Sequence, residues 1–440
     1  MKTSMPNPLN THCTGCGACV SESAGTLIMA WNDEGFLSPQ LRTPGVAPPE
    51  NVVRVCPFNP RPEKYVEDED AIARSCLPDT PNWHLRAGRY RGSYIGYSKT
   101  FRDTSSSGGV ATLVFRTLLE GRHVDHIFVV LSDGANGYRY ALHNDVEKIG
   151  TTSKTRYFPV TLEGLFDLIE QTDGRIAVSG VACFIKAIRL KQHYHPELKE
   201  KIPFLVGIIC GGLKSRFFTE FLAQSAGISG DYSRPEYRIK DARSTSSDYS
   251  FGAYDGNIFR AMKMSTVGDM WGTGLFKARA CDFCTDVLTE LADISLGDAW
   301  LPEYRKDGLG TSVVVTRSTL AEDIIQSGIR KGDFLAQSVP IERIIESQRA
   351  SFSHRHDAVR FRVWLSRWVD SVPVPFLRER VKKSISLPFA VVQILRERTR
   401  EKSIDYWRSS PDVEIFNRKM KMHLSLLKFF TKVYHKLRLK

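Results

Sequence analysis

From about residue 90 to 335 the chain alternates short apolar runs with stretches of helical period. IFVVLSDG at 127–134 reads as a buried strand running into a turn. RIAVSG at 175–180, FLVGII at 204–209, ADISLGDAW at 292–300 and TSVVVTR at 311–317 read as further strands. Helices are expected between them. VATLVFRTLLE runs into Gly121, TLEGLFDLIEQ at 161–171 places Leu162, Leu165, Phe166 and Ile169 on one face with Thr161 as N-cap, residues 183–195 continue the pattern, and SRFFTEFLAQSAG at 215–227 closes on Gly227. The alternation predicts an α/β core with a mixed, largely parallel sheet.

The flanks differ. Residues 1–80 are loop-rich and proline-rich, with too few apolar periods for a core of their own, so a metal staple is expected there. The acidic run Glu67-Asp68-Glu69-Asp70 reads as an exposed linker or turn. Beyond 340 the chain turns helical. At 419–440 apolar residues recur at 420, 424, 427, 430, 433 and 437 among lysines and arginines, the pattern of a basic amphipathic helix. Three regions follow: 1–80, 90–335 and 340–440.

Length and composition add limits. A chain of 440 residues suggests roughly two to four domains. With 42% hydrophobic and 25% charged residues it is an ordinary globular sequence, which sets aside disordered and fibrous classes. The formal charge of +12 is concentrated at one end: between Arg355 and Lys440 stand 21 Lys and Arg against 8 Asp and Glu, and the rest is close to neutral. The opening MKTSMPNPLNTHCTGC lacks the apolar stretch of a secretory signal, and ISLPFAVVQIL at 385–395 is too short for a membrane span. A cytoplasmic protein is expected. Its tail suits peripheral contact with the anionic inner face of the membrane or with an acidic partner. Trp364, Trp368, Trp407, Phe429 and Phe430 interleave with the cations, but a solvated or packing face explains them better than nucleic-acid binding.

In that compartment nine cysteines read as metal or redox chemistry rather than disulfides. Cys13, Cys16 and Cys19 sit two residues apart with Gly15 and Gly17 between them, and Cys56-Pro57 follows much later. Three thiols on one tight loop can each reach a different iron of a cubane cluster. The position that would continue a two-cluster ferredoxin run is Ser23, so a second ferredoxin cluster is not expected in this segment, and the remote Cys56 would complete the ligands of the first. A zinc knuckle on the same thiols is the alternative, although zinc sites usually pair two separated Cys-x2-Cys knuckles. Cys183 and Cys210 each follow a strand and so project from the carboxyl edge of the expected sheet, where open α/β folds place ligands. Cys281-x2-Cys284 precedes another strand. From spacing alone, buried structural thiols at 183 and 210 are about as good a reading as ligands. Cys76 is left over as a free or structural thiol.

Ser105-Ser106-Ser107-Gly108-Gly109 runs directly into a helix, presenting free N–H groups and the positive dipole end to an anion. An ordinary N-cap looks the same. Ser153-Lys154-Thr155-Arg156-Tyr157 could add a cation and a ring, or be a surface turn. His123, His126, His193 and His195 read as surface or structural histidines, and no catalytic acid or base is assigned.

CTGCGAC, a later Cys-Pro, SSSGGVAT, the Lys-Thr-Arg-Tyr step, two strand-end cysteines and CDFCTD…ELADISLGDAW occur in this order. Over roughly residues 10–320 the chain resembles the coenzyme F420 hydrogenase/dehydrogenase beta-subunit family, which includes iron–sulfur flavoproteins similar to 7-hydroxymethyl chlorophyll a reductase. The resemblance implies two 4Fe–4S clusters and FAD. Cys13, Cys16, Cys19 and Cys56 would hold an outer cluster in a ferredoxin-like segment, and Cys183, Cys210, Cys281 and Cys284 an inner one. Ser106, Ser107, Gly108 and Gly109 would contact the flavin nucleotide, with Arg156, Tyr157 and Asp298 nearby. The usual proline and glutamine around the strand-end cysteine are replaced here by Val181-Ala182-Cys183-Phe184. Bacterial relatives are often associated with surface-polysaccharide clusters, so the family label does not make deazaflavin the substrate.

The expected activity is therefore an oxidoreductase passing electrons from ferredoxin or a similar donor, through both clusters and FAD, to a small organic acceptor. Two alternatives stay open: an electron-transfer subunit of a larger redox complex, and a metal-stapled binding protein without turnover.

Overall fold

Residues 11–369, 373–381 and 384–438 are described by the structure, a computed structural model. The chain opens with the Cys13–Cys19 loop and an antiparallel hairpin of β1 (Leu27–Trp31) and β2 (Leu37–Leu41). Helix α1 (Glu69–Cys76) and a small hairpin, β3 (Asn82–His84) with β4 (Gly88–Tyr90), lead into the main sheet. That sheet takes β5 (Gly92–Ser98), β6 (His126–Ser132), β7 (Tyr138–His143), β8 (Ile176–Val181) and β9 (Phe204–Ile208). A separate antiparallel sheet of β10 (Tyr232–Ile239), β11 (Ser250–Asp255) and β12 (Ile258–Lys263) interrupts it. It is completed by β13 (Ile294–Asp298), β14 (Ser312–Thr316) and β15 (Phe334–Ser338), in the order β15-β5-β14-β13-β9-β8-β6-β7.

The sheet is mixed, but it is not largely parallel. Only β13-β9, β9-β8 and β8-β6 pair in parallel; the other four neighbours are antiparallel. Period and composition do not encode strand direction, whereas connections do: β7 follows β6 through a turn too short for a crossover. Helices α2 (Val110–Glu120), α3 (Leu165–Gln171), α4 (Ala182–Tyr194), α5 (Arg216–Ser225) and α6 (Thr319–Lys331) surround the strands. Their apolar faces bury Leu113, Val114, Ile185, Ile188 and Ile325 in clusters on the two sides of the sheet.

Two local expectations fail for physical reasons. The helix expected from Thr161 begins only at Leu165, because Leu162 N–H donates to Cys16 O at 2.9 Å and ties that stretch to the cysteine loop. Thr161 instead accepts from Glu163 N–H at 3.2 Å. The acidic run is not an exposed linker. Asp68 caps α1 by accepting Ala71 N–H at 2.8 Å, Glu69 is buried against Lys186 at 3.3 Å, and Asp70 meets Arg380 at 2.8 Å. Burial opposes the charge on Glu69, but Lys186 and Arg378 outweigh it and hold the carboxyl at about 2.

The basic tail is part of the fold. After α7 (Ile341–Ser347) and α8 (Val359–Val369), helices α9 (Leu387–Ser409) and α10 (Val413–Arg438) form a hairpin. Trp407, Phe416 and Met420 are buried with Phe221 of α5 and with Phe276, and Trp407 Nε1 donates to Glu220 at 2.9 Å. Of the apolar stripe, Met420 and Leu427 are buried, Leu424 and Phe430 pack partly, and Leu437 is exposed. Among the described residues no helix is long and apolar enough to cross a membrane.

Candidate functional site

The N-terminal thiols sit on a loop that only glycine can close. Gly17 has φ +78°, and a Cβ there would collide with Thr161 Oγ1 and with Glu163 N at 2.9 Å. The loop aims amide hydrogens at sulfur, with Gly15 N–H donating to Cys13 Sγ at 3.2 Å. Cys13, Cys16, Cys19 and Cys56 lie within electrostatic reach of one another. Burial first, and then the charge of Cys16, push Cys13 and Cys56 up to about 12. Ser23, in the place of a further ferredoxin cysteine, is buried and structural: its hydroxyl donates to Val20 O at 2.6 Å and accepts Leu27 N–H at 3.2 Å.

The second set is assembled from three segments at the carboxyl edge of the parallel strands. Cys183 opens α4 after β8, Cys210 follows β9, and Cys281 with Cys284 precede β13. Cys183 is pushed well up by burial and by the charges of Cys284, Cys281 and Cys210. Gly212 N–H donates to Cys210 Sγ and Leu213 N–H to Cys281 Sγ, both at 3.2 Å. The sets adjoin, since Cys16 also lies within reach of Cys183. Cys76 stands apart from both; burial and the neighbouring Asp293 raise its thiol, with Arg189 opposing.

Four thiols this close and largely shielded from water cannot all ionise beside one another without a cationic centre to neutralise them. Thiols in mutual reach, with amide hydrogens turned toward sulfur at Cys13, Cys210 and Cys281, are the kind of donor set a cubane core takes.

A cavity of about 1110 Å³ joins these features. Thr14 and Gly15 reach it from the first thiol loop and Cys210 from the second, while Ser105, Ser106 and Ser107 line it before α2. Gly109 has φ +75°, and a Cβ there would stand 2.6 Å from the Phe101 carbonyl carbon. Gly108 faces the sheet instead: its carbonyl accepts Ser98 N–H at 2.7 Å and it does not line the cavity. Ser106 Oγ accepts Thr155 N–H at 2.9 Å, which carries Arg156 to the serine loop. Arg156 Nε and Nη1 and Ser105 Oγ are buried without a partner. Burial lowers the Arg156 pKa, with Tyr138 and Glu236 opposing. Unpartnered donors beside a helix start fit the phosphates of a flavin nucleotide. Tyr157 lines the same space, edge-on to Trp271 at 4.7 Å. Asp298 also lines it, but both its oxygens are taken by Arg238 at 2.5 and 2.8 Å. His195 pairs with Glu22 at 2.9 Å, away from the cavity.

Sequence reasoning missed two residues. Arg355, buried beyond the expected core, donates to Cys210 O and Asp286 O at 2.5 Å each. It lies within reach of Cys284, Cys210 and Cys281, whose charges outweigh its burial and raise its pKa. Tyr140 lies within reach of both Cys183 and Cys16, and burial is the largest cause of its raised pKa. Neither has a motif around it; only the fold brings them there.

The description "Coenzyme F420 hydrogenase/dehydrogenase, beta subunit N-term" matches residues 93–166, and its C-terminal counterpart matches 173–341, between them more than half of the chain. No curated protein matches. Among solved structures, a chain of the xenon-derivatised F420-reducing NiFe hydrogenase complex from Methanosarcina barkeri is similar at 18% identity and a TM-score of 0.46, over 61% of this chain and 91% of that one.

Proposed function

Because the chain belongs to the coenzyme F420 hydrogenase/dehydrogenase beta-subunit family, a family of redox and electron-transfer proteins, we propose that it is an iron–sulfur flavoprotein reductase. In this reading Cys13, Cys16, Cys19 and Cys56 hold one 4Fe–4S cluster in a ferredoxin-like segment, and Cys183, Cys210, Cys281 and Cys284 hold a second. Ser105, Ser106, Ser107, Arg156 and Tyr157 hold FAD. One observation carries it: two sets of buried and half-buried thiols adjoin each other and border one cavity, whose wall also holds Arg156, with Nε and Nη1 buried and without hydrogen-bond partners.

Clusters of this kind relay single electrons, and a flavin collects two and passes them on together. The chain's own residues do the rest. Arg355 places a fixed positive charge beside the second thiol set, which favours added electrons there. The Ser105–Ser107 loop and Arg156 anchor phosphate, and Tyr157 and Trp271 wall the cavity against water. Two electrons drawn from a reduced ferredoxin-like donor leave with protons onto a small organic acceptor. A role in bacterial surface-polysaccharide synthesis, in the cytoplasm, is the setting we propose.

Anaerobic purification with iron, sulfide and flavin analysis tests this. About eight iron, about eight sulfide and about one FAD per chain are expected. Zinc without sulfide or flavin, from protein made with cluster assembly intact, removes the reading. The family description is that of a beta subunit, so the second reading is an electron-transfer subunit whose acceptor site lies on another chain. Turnover of the isolated protein with a small acceptor counts against it.

For the tail, packing comes first. The face that α10 leaves outward, with Met422, Leu426, Phe429 and Leu437 among its lysines, is the part suited to an anionic bilayer. Deleting the helix would strip the core at Phe416, so the informative variant is Met422→Glu with Phe429→Glu. Binding to phosphatidylserine vesicles at low salt, lost in that variant, supports membrane contact; no binding by the unaltered protein removes it.

A further inference from the structure

The C-terminal hairpin does more than complete the core. Phe389, Val392 and Arg396 of α9 and Thr431, Tyr434 and His435 of α10 form part of the cavity wall, although they lie beyond the matched residues 93–341. Phe389 and Tyr434 stack at 4.6 Å and hold the two helices together there. Arg396 is the cation of this wall. Its Nε is buried and has no hydrogen-bond partner, and no carboxylate stands within ion-pair distance of it among the described residues. Burial pulls its pKa down, and the nearby Asp269, Asp282 and Tyr434 only partly offset this. Asp269 is the carboxylate of the adjoining loop, but its Oδ1 is engaged by the N–H groups of Trp271 at 3.1 Å and Gly272 at 2.7 Å.

A chain of contacts relates Arg396 to the rest of the cavity. Trp271 lies over Gly211, the residue after Cys210, so closely that a Cβ there would stand 3.1 Å from the indole. The same indole meets Tyr157, which follows Arg156. From the serine loop the wall therefore runs through Tyr157 and Trp271, past the second thiol set, to Asp269 and Arg396. Arg156 and Arg396, each with a buried Nε that has no hydrogen-bond partner, stand at different places along one cavity. Arg156 belongs with the nucleotide site described above. Arg396 is left for another ligand.

We propose that Arg396 binds an acidic group, carboxylate or phosphate, of the small organic molecule that enters this cavity, with Thr431 and His435 of the same cavity wall as hydrogen-bonding groups. The identity of that molecule as the electron acceptor rests on the proposed function; the anion site itself does not. A half-buried guanidinium whose Nε is buried without a hydrogen-bond partner is unfavourable, and a forked charge-assisted pair with a planar or tetrahedral anion relieves it. The C-terminal segment would thus set substrate selectivity on a cofactor-binding body shared with the family.

Calorimetric titration of the purified full-length protein with benzoate, phenyl phosphate and the neutral benzamide tests this. Saturable binding of either anion, with benzamide much weaker, is expected, and the preferred anion tells carboxylate from phosphate. Arg396→Gln should weaken the anion by roughly 10- to 100-fold, as for loss of a charge-assisted hydrogen bond. Arg396→Lys should fall between, and Arg398→Gln, an exposed neighbour on the same helix, should leave binding unchanged. Equal binding of benzamide, absence of anion binding, or full affinity in Arg396→Gln overturns the proposal. Wild-type selectivity keeps it testable even if the variants fold poorly. Iron and flavin are assayed on the same samples. Anion binding that depends on Arg396 in protein without either cofactor leaves the site standing and removes the reductase; both cofactors without anion binding does the reverse.

Discussion

Purified without oxygen, Cys281→Ser protein is expected to retain about half of the iron and sulfide of the unaltered chain, close to the content of a single cubane. Its turnover with a ferredoxin-like donor should fall to background. Cys281 is buried, its sulfur accepts the Leu213 amide at 3.2 Å, and Cys210 and Lys277 lie within its electrostatic reach. Serine preserves the packing but is a much poorer ligand for iron than thiolate. The first thiol set has its own loop, residues 13–19 with Cys56, so it should keep its metal. Cys76→Ser is the matched control, because Cys76 packs against the core away from both sets. Full iron in Cys281→Ser, or a loss of iron in Cys76→Ser, would sink the assignment of thiols to two clusters.

The second large effect is on stability. Glu290→Gln should destabilise the fold by about 3–5 kcal/mol, the cost of leaving buried charges without their partner. The Glu290 carboxylate takes Arg378 at 3.0 and 3.1 Å and also pairs with Arg380. Arg378 is 1% exposed and Glu290 2%. Burial works against the Glu290 charge, but Arg378 and then Arg380 hold its pKa below the usual carboxylate range. With glutamine, two guanidiniums keep their desolvation and lose the carboxylate they share, leaving Arg378 only Glu69 at 3.7 Å and Arg380 only Asp70 at 2.8 Å among the described residues. Arg378 also donates to Thr285 O at 2.5 Å, between Cys284 and Asp286, so the variant should release iron faster on warming. A denaturant midpoint equal to that of the unaltered protein would mean that the pair contributes no net stability.

The Glu290 cluster also shows what could be read from the chain and what could not. Local pattern located β6, β8, β9, β13 and β14 and helices α2, α4 and α5, because each is set by apolar period and nearby caps or glycines. Spacing grouped Cys13, Cys16 and Cys19, whereas Cys183 and Cys210 read equally well as structural thiols, and only the family resemblance joined them to Cys281 and Cys284. What escaped depends on partners distant in sequence. Glu69 looked solvated until Lys186 and Arg378 folded onto it, and Asp70 meets Arg380, 310 residues away. Within ELADISLGDAW the acidic Glu290 could be seen, but not that it receives two arginines from the C-terminal segment. The same distance hid Arg355 beside the second thiol set and Arg396 in the cavity wall. Charge concentration in the tail suggested a surface, whereas Arg355, Arg362, Arg378 and Arg400 are interior.

Those interior cations carry a consequence for the order of assembly. Arg355, Arg378, Arg400 and Trp407 all complete the surroundings of the Cys210–Cys284 region or of the aromatic cluster beside it. Synthesis from the N-terminus delivers the second thiol set well before these residues leave the ribosome. At about 5–20 residues per second, the thiols wait on the order of ten seconds for their last walls. During that interval they are open to oxygen and to stray metal, and a nascent chain stalled before Trp407 should be the form most easily damaged by both.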